Sequence, residues 1–497
     1  MVRANGKQRA WPLFLFTVCA AACAAPDAVP GAPGTVGPYQ PTPGEGGDPV
    51  WGDGFGQADQ GTVQRGYDIA VDRTTHTAVA TFGFDNTIEI PGVDGTPFIT
   101  AGALDLLVVQ LSANTGTPTW AKRIGAFGET TRTVVDIDFQ GNVIIAGGFD
   151  DTIDIGSGPI NTFGGRDVFV AKVDPSGNPI WLRTFGEGSS QFATGVATDG
   201  EGNVIVVGYT EGGDYDFDAG LSVKAASGND LFITKLSPSG ITLWGERVGS
   251  ASTGEPNDPT ACVAVSRTDG SILFGGAFSN ALVFPGSVQL PILGIQDGFV
   301  VKLDTYGSSV WGKSFGVVDR RQRVNSVAFG PSGEVLLTGG YEGTVKLGDQ
   351  PLVGFPNNFN LFIGKLNAAG EHVFSRGYGQ GGDQVGRHIE ADSEGNVMVV
   401  GDFEGVIEFF GQTALVNADV DGRVDIFSAK FGGKDGTPLW GKKYGDSWNQ
   451  RVGGAALEGN DDVLIVGTNE GKLLLGGTIG DVDTTGGEDA FVMAISP

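Results

Sequence analysis

The chain has 497 residues, 84 of them Gly and 24 Pro, with 40% hydrophobic residues and a formal net charge of −27. Turn residues in such number, beside enough Val, Ile, Leu and Phe for a core, indicate many short strands and tight turns. The acidity excludes the basic footprint of a nucleic-acid binder, and three Cys exclude a disulfide scaffold.

In chain order, Arg3, Lys7 and Arg9 precede an uncharged stretch over residues 10–25 that contains Pro12. It is shorter than the ~20 apolar residues a membrane span needs, and reads as a signal peptide over residues 1–22. Ala20-Ala21-Ala22 then precede Cys23, a pattern that resembles the bacterial lipobox, with Ala20 where that motif has Leu. The resemblance implies a lipidated Cys23 and export to the bacterial outer membrane or cell surface. Plain secretion, with cleavage among residues 20–25, is the alternative, and membrane contact is expected only through the lipid. Residues 23–47 are rich in Pro and Gly, with too few aliphatic side chains to pack, and read as a tether reaching about 75 Å when extended.

Residues 48–497 are repetitive. Gly-x-x-x-aromatic-x-x-x-x-Gly occurs at Gly116…Trp120, Gly177…Trp181, Gly240…Trp244, Gly307…Trp311, Gly370…Phe374 and Gly436…Trp440. An apolar strand precedes each aromatic, marked by Asp105, Asp167, Asp230, Asp297, Asn360 or Asp425. A seventh copy starts at Asp489, and the spacing is 62–67 residues. Continuous runs such as Asn203-Val-Ile-Val-Val-Gly208 and Asn396-Val-Met-Val-Val-Gly401 supply strands covered on both faces. Turns such as Asp199-Gly-Glu-Gly-Asn203 lead into them. Four antiparallel strands per period, repeated, predict stacked propeller blades.

The two ends of the repeat array complement each other. The strand at Asp489 has no Trp strand after it, whereas Gly47-Asp-Pro-Val-Trp51 is a Trp strand with nothing before it. Pairing them predicts an all-β, seven-bladed β-propeller of four-stranded antiparallel blades, the last closed by the N- and C-terminal strands. The segments Asp167-Val-Phe-Val-Ala-Lys-Val-Asp-Pro-Ser-Gly-Asn-Pro-Ile-Trp181 and Asp199 to Gly208 resemble the bacterial seven-bladed β-propeller repeat family of secreted and surface proteins. Thr115-Gly-Thr-Pro-Thr-Trp120 is similar to the tryptophan-docking repeats of quinoprotein dehydrogenases and outer-membrane assembly lipoproteins, which have eight blades.

Few residues point to chemistry. Lys172, Lys235, Lys302, Lys365 and Lys430 each follow the repeat's Asp or Asn by five residues and read as turn caps and inter-blade hydrogen bonds. Asn417, Asp419, Asp421 and Asp425, with Gly422 at the sixth position, have the spacing of a calcium loop, though Ser428 stands where a helix-loop-helix site needs an acid. An ordinary turn in an acidic chain gives the same pattern. Asp214, Asp216 and Asp218 alternate and read as a solvated strand face. His76, His372 and His388 show no ligand spacing, and no nucleophile-elbow, zincin or phosphate-loop motif is present.

The sequence therefore favours a monomeric, non-enzymatic scaffold without a cofactor, binding a protein or glycan partner at one propeller face. The insertions at residues 250–262 and 412–424 are its candidate loops. A hydrolase, lyase or quinoprotein-like oxidoreductase using the central channel is the second expectation, and a structural envelope or matrix component the third. A channel lined only by Gly, Val and Thr would count against the enzyme.

Overall fold

The computed structural model describes residues 46–56, 62–94, 96–100, 104–126, 132–211, 215–216, 222–223, 229–250, 261–409, 411, 414–417, 422–475 and 481–497. The signal-peptide reading over residues 1–22, Cys23, and the tether as far as residue 45 lie outside them. Among the described residues every regular element is a strand.

Seven antiparallel four-stranded sheets are arranged as a β-propeller. Their inner strands are Gln64–Asp72 of blade 1, Val134–Ile137 of blade 2, Gln191–Thr198 of blade 3 and Ala261–Val265 of blade 4. Gln322–Phe329 of blade 5, Gln384–Ala391 of blade 6 and Gln450–Leu457 of blade 7 complete the set. Consecutive inner strands pack side by side around the ring, and blade 7 returns against blade 1. Blade 7 consists of Gln450–Leu457, Val463–Leu473, Val482–Ile495 and, as its outer strand, Pro49–Phe55. Trp51 lies opposite Ala494 and Gly54 opposite Phe491, so the two chain ends share one sheet, as the repeat count requires.

The local sequence explains the strands. The second strand of each blade is sandwiched between neighbouring blades, and Val143–Phe149, Ile272–Phe278 and Val397–Phe403 are buried along their whole length. The Gly that ends these runs has a steric reason. The inner strand bulges opposite it, between Ala193 and Gly195 and between Gly386 and His388. A Cβ on Gly208 or Gly401 would collide with the Phe192 or Val385 carbonyl oxygen and press on Phe232 or Phe427 of the next strand.

The Gly-x-x-x-Trp spacing is explained by contact between blades. Gly116 has φ +71°, and its open face receives the Trp51 ring of the preceding blade, whose Nε1 donates to the Ala113 carbonyl at 3.0 Å. Trp120 docks in the same way on Gly177, Trp181 on Gly240, Trp244 on Gly307 and Trp311 on Gly370, while Phe374 covers Gly436. Trp440 closes the series on Gly46 and Gly47, so the propeller engages the chain from Gly46 onward, at the end of the tether reading.

One element was not legible in the sequence. In blades 1 to 6 a two-stranded flap interrupts the link between the second and third strands, as in Thr87–Ile88 with Phe98–Ile99 and Leu282–Val283 with Gln289–Leu290. The flap of blade 2 pairs with the outer strand of blade 1 through Ile153 opposite Ala126, making that sheet six-stranded. The flaps account for a period of about 64 residues where a bare four-stranded blade takes about 40–45. They rise from the same end of the ring as the links between blades, here the flap face. The Asp-initiated turns occupy the opposite, turn face.

Candidate functional site

The inner strands of all seven blades enclose an axial cavity of about 630 Å³. An inner strand is a sheet edge, so its outward N–H and C=O groups need partners. Polar side chains in the channel supply them at the seams between blades. Asp68 accepts from Val135 N at 2.9 Å, and Asp136 accepts from Thr198 N and Oγ1, both at 2.7 Å. Thr194 Oγ1 donates to the Ala261 carbonyl at 2.9 Å. Ser326 Oγ accepts from Ile389 N at 3.2 Å, and Asn325 Nδ2 donates to the Gly386 carbonyl at 2.9 Å. Glu390 accepts from Leu457 N at 3.0 Å and Asp402 from Val452 N at 2.9 Å. At the seam of blades 4 and 5 the partner is the weak donor Cys262, 4.0 Å from the Val324 carbonyl.

Three arginines act as crossbeams between blades. Arg267 of blade 4 reaches the Ile137 carbonyl of blade 2 at 2.6 Å and lies 3.6 Å from Asp136. Arg73 of blade 1 donates to the Leu457 carbonyl of blade 7 at 3.0 Å and pairs with Glu390 of blade 6. Arg132 of blade 2 reaches the Gly453 carbonyl of blade 7. Arg387 instead works within blade 6, donating from the inner strand to Asp402 of the second strand at 2.7 Å.

Enclosure shifts the charges. Burial raises the Asp68 carboxyl to about 6, against the opposing pull of Val135 N–H and Arg132. Arg132 is lowered by burial and by the like charge of Arg387, and Arg323 is lowered to about 9 for the same two reasons. Burial pushes the Cys262 thiol up to about 12, which makes it a poor nucleophile at neutral pH. Glu390 stays below the usual carboxylate range: burial opposes its charge, but His388, Arg73 and Leu457 N outweigh it.

The channel is therefore not lined by Gly, Val and Thr alone. Asp68, Arg132, Asp136, Arg267, Arg387, His388 and Glu390 all border it, and none was singled out from the sequence for a channel role. A signal was present, since Arg132-Thr-Val-Val-Asp136 and Arg387-His-Ile-Glu390 put charge into otherwise apolar strands.

The repeated lysines lie at the turn face. Lys172 Nζ pairs with Asp138 at 2.8 Å and reaches the Pro238 carbonyl of the next blade at 3.4 Å. Lys235 pairs with Asp199 at 2.9 Å and donates to Thr305 Oγ1 of the next blade at 2.7 Å. Lys365 pairs with Glu334 at 3.2 Å and donates to the Gly433 carbonyl at 2.9 Å, and Lys430 pairs with Asp392 at 2.9 Å. Where blade 4 has Ser266 instead of the turn Asp, Lys302 lies over the Phe329 ring at 5.7 Å. These lysines fasten turns and seams.

Of the calcium-loop residues, Asp419 and Asp421 lie outside the described residues. Asn417 turns its amide to the Arg423 carbonyl at 2.8 Å, and Asp425 pairs with Lys443 at 3.1 Å. Residues 251–260 of the first candidate insertion, 412–413 and 418–421 of the second, and Asp214 and Asp218 are also outside them. The histidines are dispersed: His76 pairs with Glu458, His372 lies 3.1 Å from Ser375 Oγ, and His388 lies 3.5 Å from Glu390.

Among known proteins, the family model "WD domain, G-beta repeat" matches residues 316–349, which are the inner and second strands of blade 5 with their approaches. An uncharacterised WD repeat-containing protein of Acanthamoeba polyphaga mimivirus is 21% identical over 450 residues, covering 75% of this chain and 32% of its own length. The chain thus spans about a third of that relative. Solved structures that superpose include a Dos1 propeller at 10% identity, TM-score 0.39, covering 90% of this chain and 95% of that one. A protein of unknown function from Dyadobacter fermentans superposes at 12% identity, TM-score 0.36, covering 74% and 94%. A europium-containing methanol dehydrogenase does so at 11%, TM-score 0.39, covering 85% and 87%. The chain is a seven-bladed β-propeller with a WD repeat match in its fifth blade.

Proposed function

We propose that the protein is a non-enzymatic binding scaffold whose flap face presents loops to a protein partner. The observation that carries this is the employment of the channel side chains: Asp68, Asp136, Glu390 and three arginines, Arg73, Arg132 and Arg267, hold one blade to another. Groups committed to a backbone N–H or C=O across a seam are architecture, which leaves recognition to the rim. A glycan is the other ligand class for such a face. We further propose export with a lipid on Cys23, which would make residues 24–45 a spacer from a bacterial outer membrane to the ring. Metabolic labelling with palmitate tests this, since Cys23→Ser should lose all label.

Melting temperatures of channel variants separate the scaffold from an enzyme. Residues that hold seams destabilise the fold when replaced, whereas catalytic residues are commonly a burden whose removal stabilises. Glu390→Ala and Asp136→Ala, which remove the hydrogen-bond acceptor outright, should therefore both melt lower than the parent, and a rise in both would turn the reading towards a channel enzyme. One observation favours that second reading, namely the Asp68 carboxyl near 6, poised for acid–base work. For the calcium loop, the expected result is a calcium-dependent rise in melting temperature that Asp419→Ala with Asp421→Ala abolishes. No rise in the parent ends that proposal.

A further inference from the structure

The flap face carries a patch at the seam of blades 4 and 5 that has no counterpart among the described residues of the other blades. Residues 320–323 read Arg-Arg-Gln-Arg, the densest run of positive charge in a chain of net charge −27. Three loops meet there. Ile295 N donates to the Arg320 carbonyl at 3.0 Å and Gln322 N to the Gln296 carbonyl at 2.9 Å. Glu342 N donates to the Arg321 carbonyl at 3.0 Å and Gly343 N to the Phe355 carbonyl at 2.9 Å. These bonds join Leu293, Ile295, Val318 and Phe355 into one surface, and all four are exposed, Val318 by 69%.

Within the patch the arginines differ. Arg321 is bound to Glu342, with Nε 3.0 Å from Oε1, and Arg321 and Arg323 lie over the Phe359 ring. Arg320 sits beside Gly343, where its guanidinium touches only the carbonyl of its neighbour Asp319, at 3.4 Å; among the described residues it has no carboxylate partner. At the corresponding position, two residues before the inner-strand Gln, other blades have Thr62, Ser189, Gly382 and Trp448. Exposed aliphatics on the outer strands, such as Ile180, Leu243 and Val310, recur blade by blade and stand singly, which is ordinary for a protein surface.

We infer that this patch docks an extended peptide segment of a protein partner, presenting an Asp or Glu to Arg320 with aliphatic side chains on either side. The inference rests on the scaffold reading above and names its site and ligand chemistry. A guanidinium on loops that also expose Leu293, Ile295, Val318 and Phe355 favours a planar carboxylate, which it grips in a bidentate fork. The acidity of the rest of the chain makes this patch the place where an acidic segment is least repelled. A sugar ring would call for aromatic platforms and several convergent polar groups, and Phe355 is the one exposed aromatic among these four residues.

The test selects a phage-displayed library of random dodecapeptides on the immobilised full chain and measures the selected peptides by fluorescence anisotropy. The expected consensus has one acid flanked by Leu, Ile or Val. Its affinity should fall roughly tenfold or more in Arg320→Ala and several-fold in Val318→Ser, and weaken with added salt. Lys434→Ala on the turn face should leave binding unchanged, and matched melting curves confirm that the variants are folded. Selected peptides that bind parent, Arg320→Ala and Val318→Ser equally overturn the patch and leave the scaffold reading standing. A glycan array bound through Arg320, with no peptide enriched, overturns the peptide occupant. Absence of any peptide or glycan ligand removes both the patch and the scaffold reading.

Discussion

Blade 3 and blade 5 bury the same point of their third strand by opposite means. In blade 3 the point is Asp230, fully buried, with Arg247 of the outer strand 2.6 Å away. In blade 5 it is Asn360, also fully buried, where Gly377 replaces the cation. The Asn360 amide does the work of the ion pair. Its Oδ1 accepts from Phe355 N at 2.9 Å, and its Nδ2 donates to the carbonyls of Tyr341, Phe355 and Asn358 at 2.9–3.0 Å. Blades 1 and 6 follow blade 3, with Asp105–Arg123 at 2.7 Å and Asp425–Lys443 at 3.1 Å. Blades 2 and 4 follow neither, because Asp167 and Asp297 keep the acid while Thr184 and Ser314 stand in the cation's place. Burial raises both carboxyls, as it raises Asp230, but where Arg247 pulls Asp230 back these two have only backbone N–H groups, Phe163 for Asp167 and Leu293 and Gly294 for Asp297. Charge at this point is thus optional to the fold, but an unmatched charge there costs stability.

The largest expected effect comes from breaking the match. Arg247→Gly leaves Asp230 buried and unpaired, and urea denaturation should show a loss of about 3–5 kcal/mol. Adding Asp230→Asn rebuilds the blade 5 arrangement and should recover most of it. A double variant no better than the single would show that blade 5 tolerates its amide for reasons local to its own loops.

A smaller effect of opposite sign is expected in blade 2. Asp167 has a raised folded pKa, so the stability it contributes as a neutral acid is complete below its unfolded value of about 3.9 and is lost as pH rises through the folded one. Asp167→Asn keeps the neutral form at every pH. It should match the parent near pH 3 and gain about 1 kcal/mol at pH 7. A gain independent of pH would assign the effect to hydrogen bonding and not to charge.

How much of this was legible follows from what repeats. The Gly-x-x-x-Trp spacing and the complementary chain ends gave blade number and closure, because each Trp must dock on the Gly of the next blade and the pattern cannot drift. The Asp–cation pairs were also on the page, 17 or 18 residues apart at Asp105 and Arg123, Asp230 and Arg247, and Asp425 and Lys443. The lysine five residues after five of the seven marks is the more conspicuous repeat, although it serves the turn. The flaps escaped because their strands are mostly two residues long and leave no alternation to read. The channel escaped for a different reason. Its residues differ from blade to blade, and Arg267 with Ile137 or Arg132 with Gly453 meet only once the ring is closed. Repetition reveals the scaffold and conceals whatever varies upon it.

The channel staples rank between the Arg247→Gly and Asp167→Asn effects in size. Glu390→Ala frees Leu457 N and releases Arg73, so a loss of about 2 kcal/mol is expected, with Glu390→Gln losing less because its carbonyl still accepts from Leu457. Equal losses would place the contribution in the Arg73 pair and not in the backbone bond.

The smallest effect concerns Asp68, and it shares its sign with Asp167. Both acids are raised by burial, but Asp68 borders the channel, where Val135 N–H and Arg132 stabilise the ionised form without overcoming enclosure. Its carboxyl should titrate near 6, visible as a carbon-13 shift in aspartate-labelled protein and absent in Asp68→Asn. Below the unfolded value its neutral form contributes fully; through pH 6 that contribution fades, and Asp68→Asn should gain on the parent across the same interval. Arg132→Met removes the opposing cation and should move the midpoint above 6. A midpoint that stays in place would mean that Arg132 spends its charge on the Gly453 carbonyl alone, and that the crossbeam is mechanical.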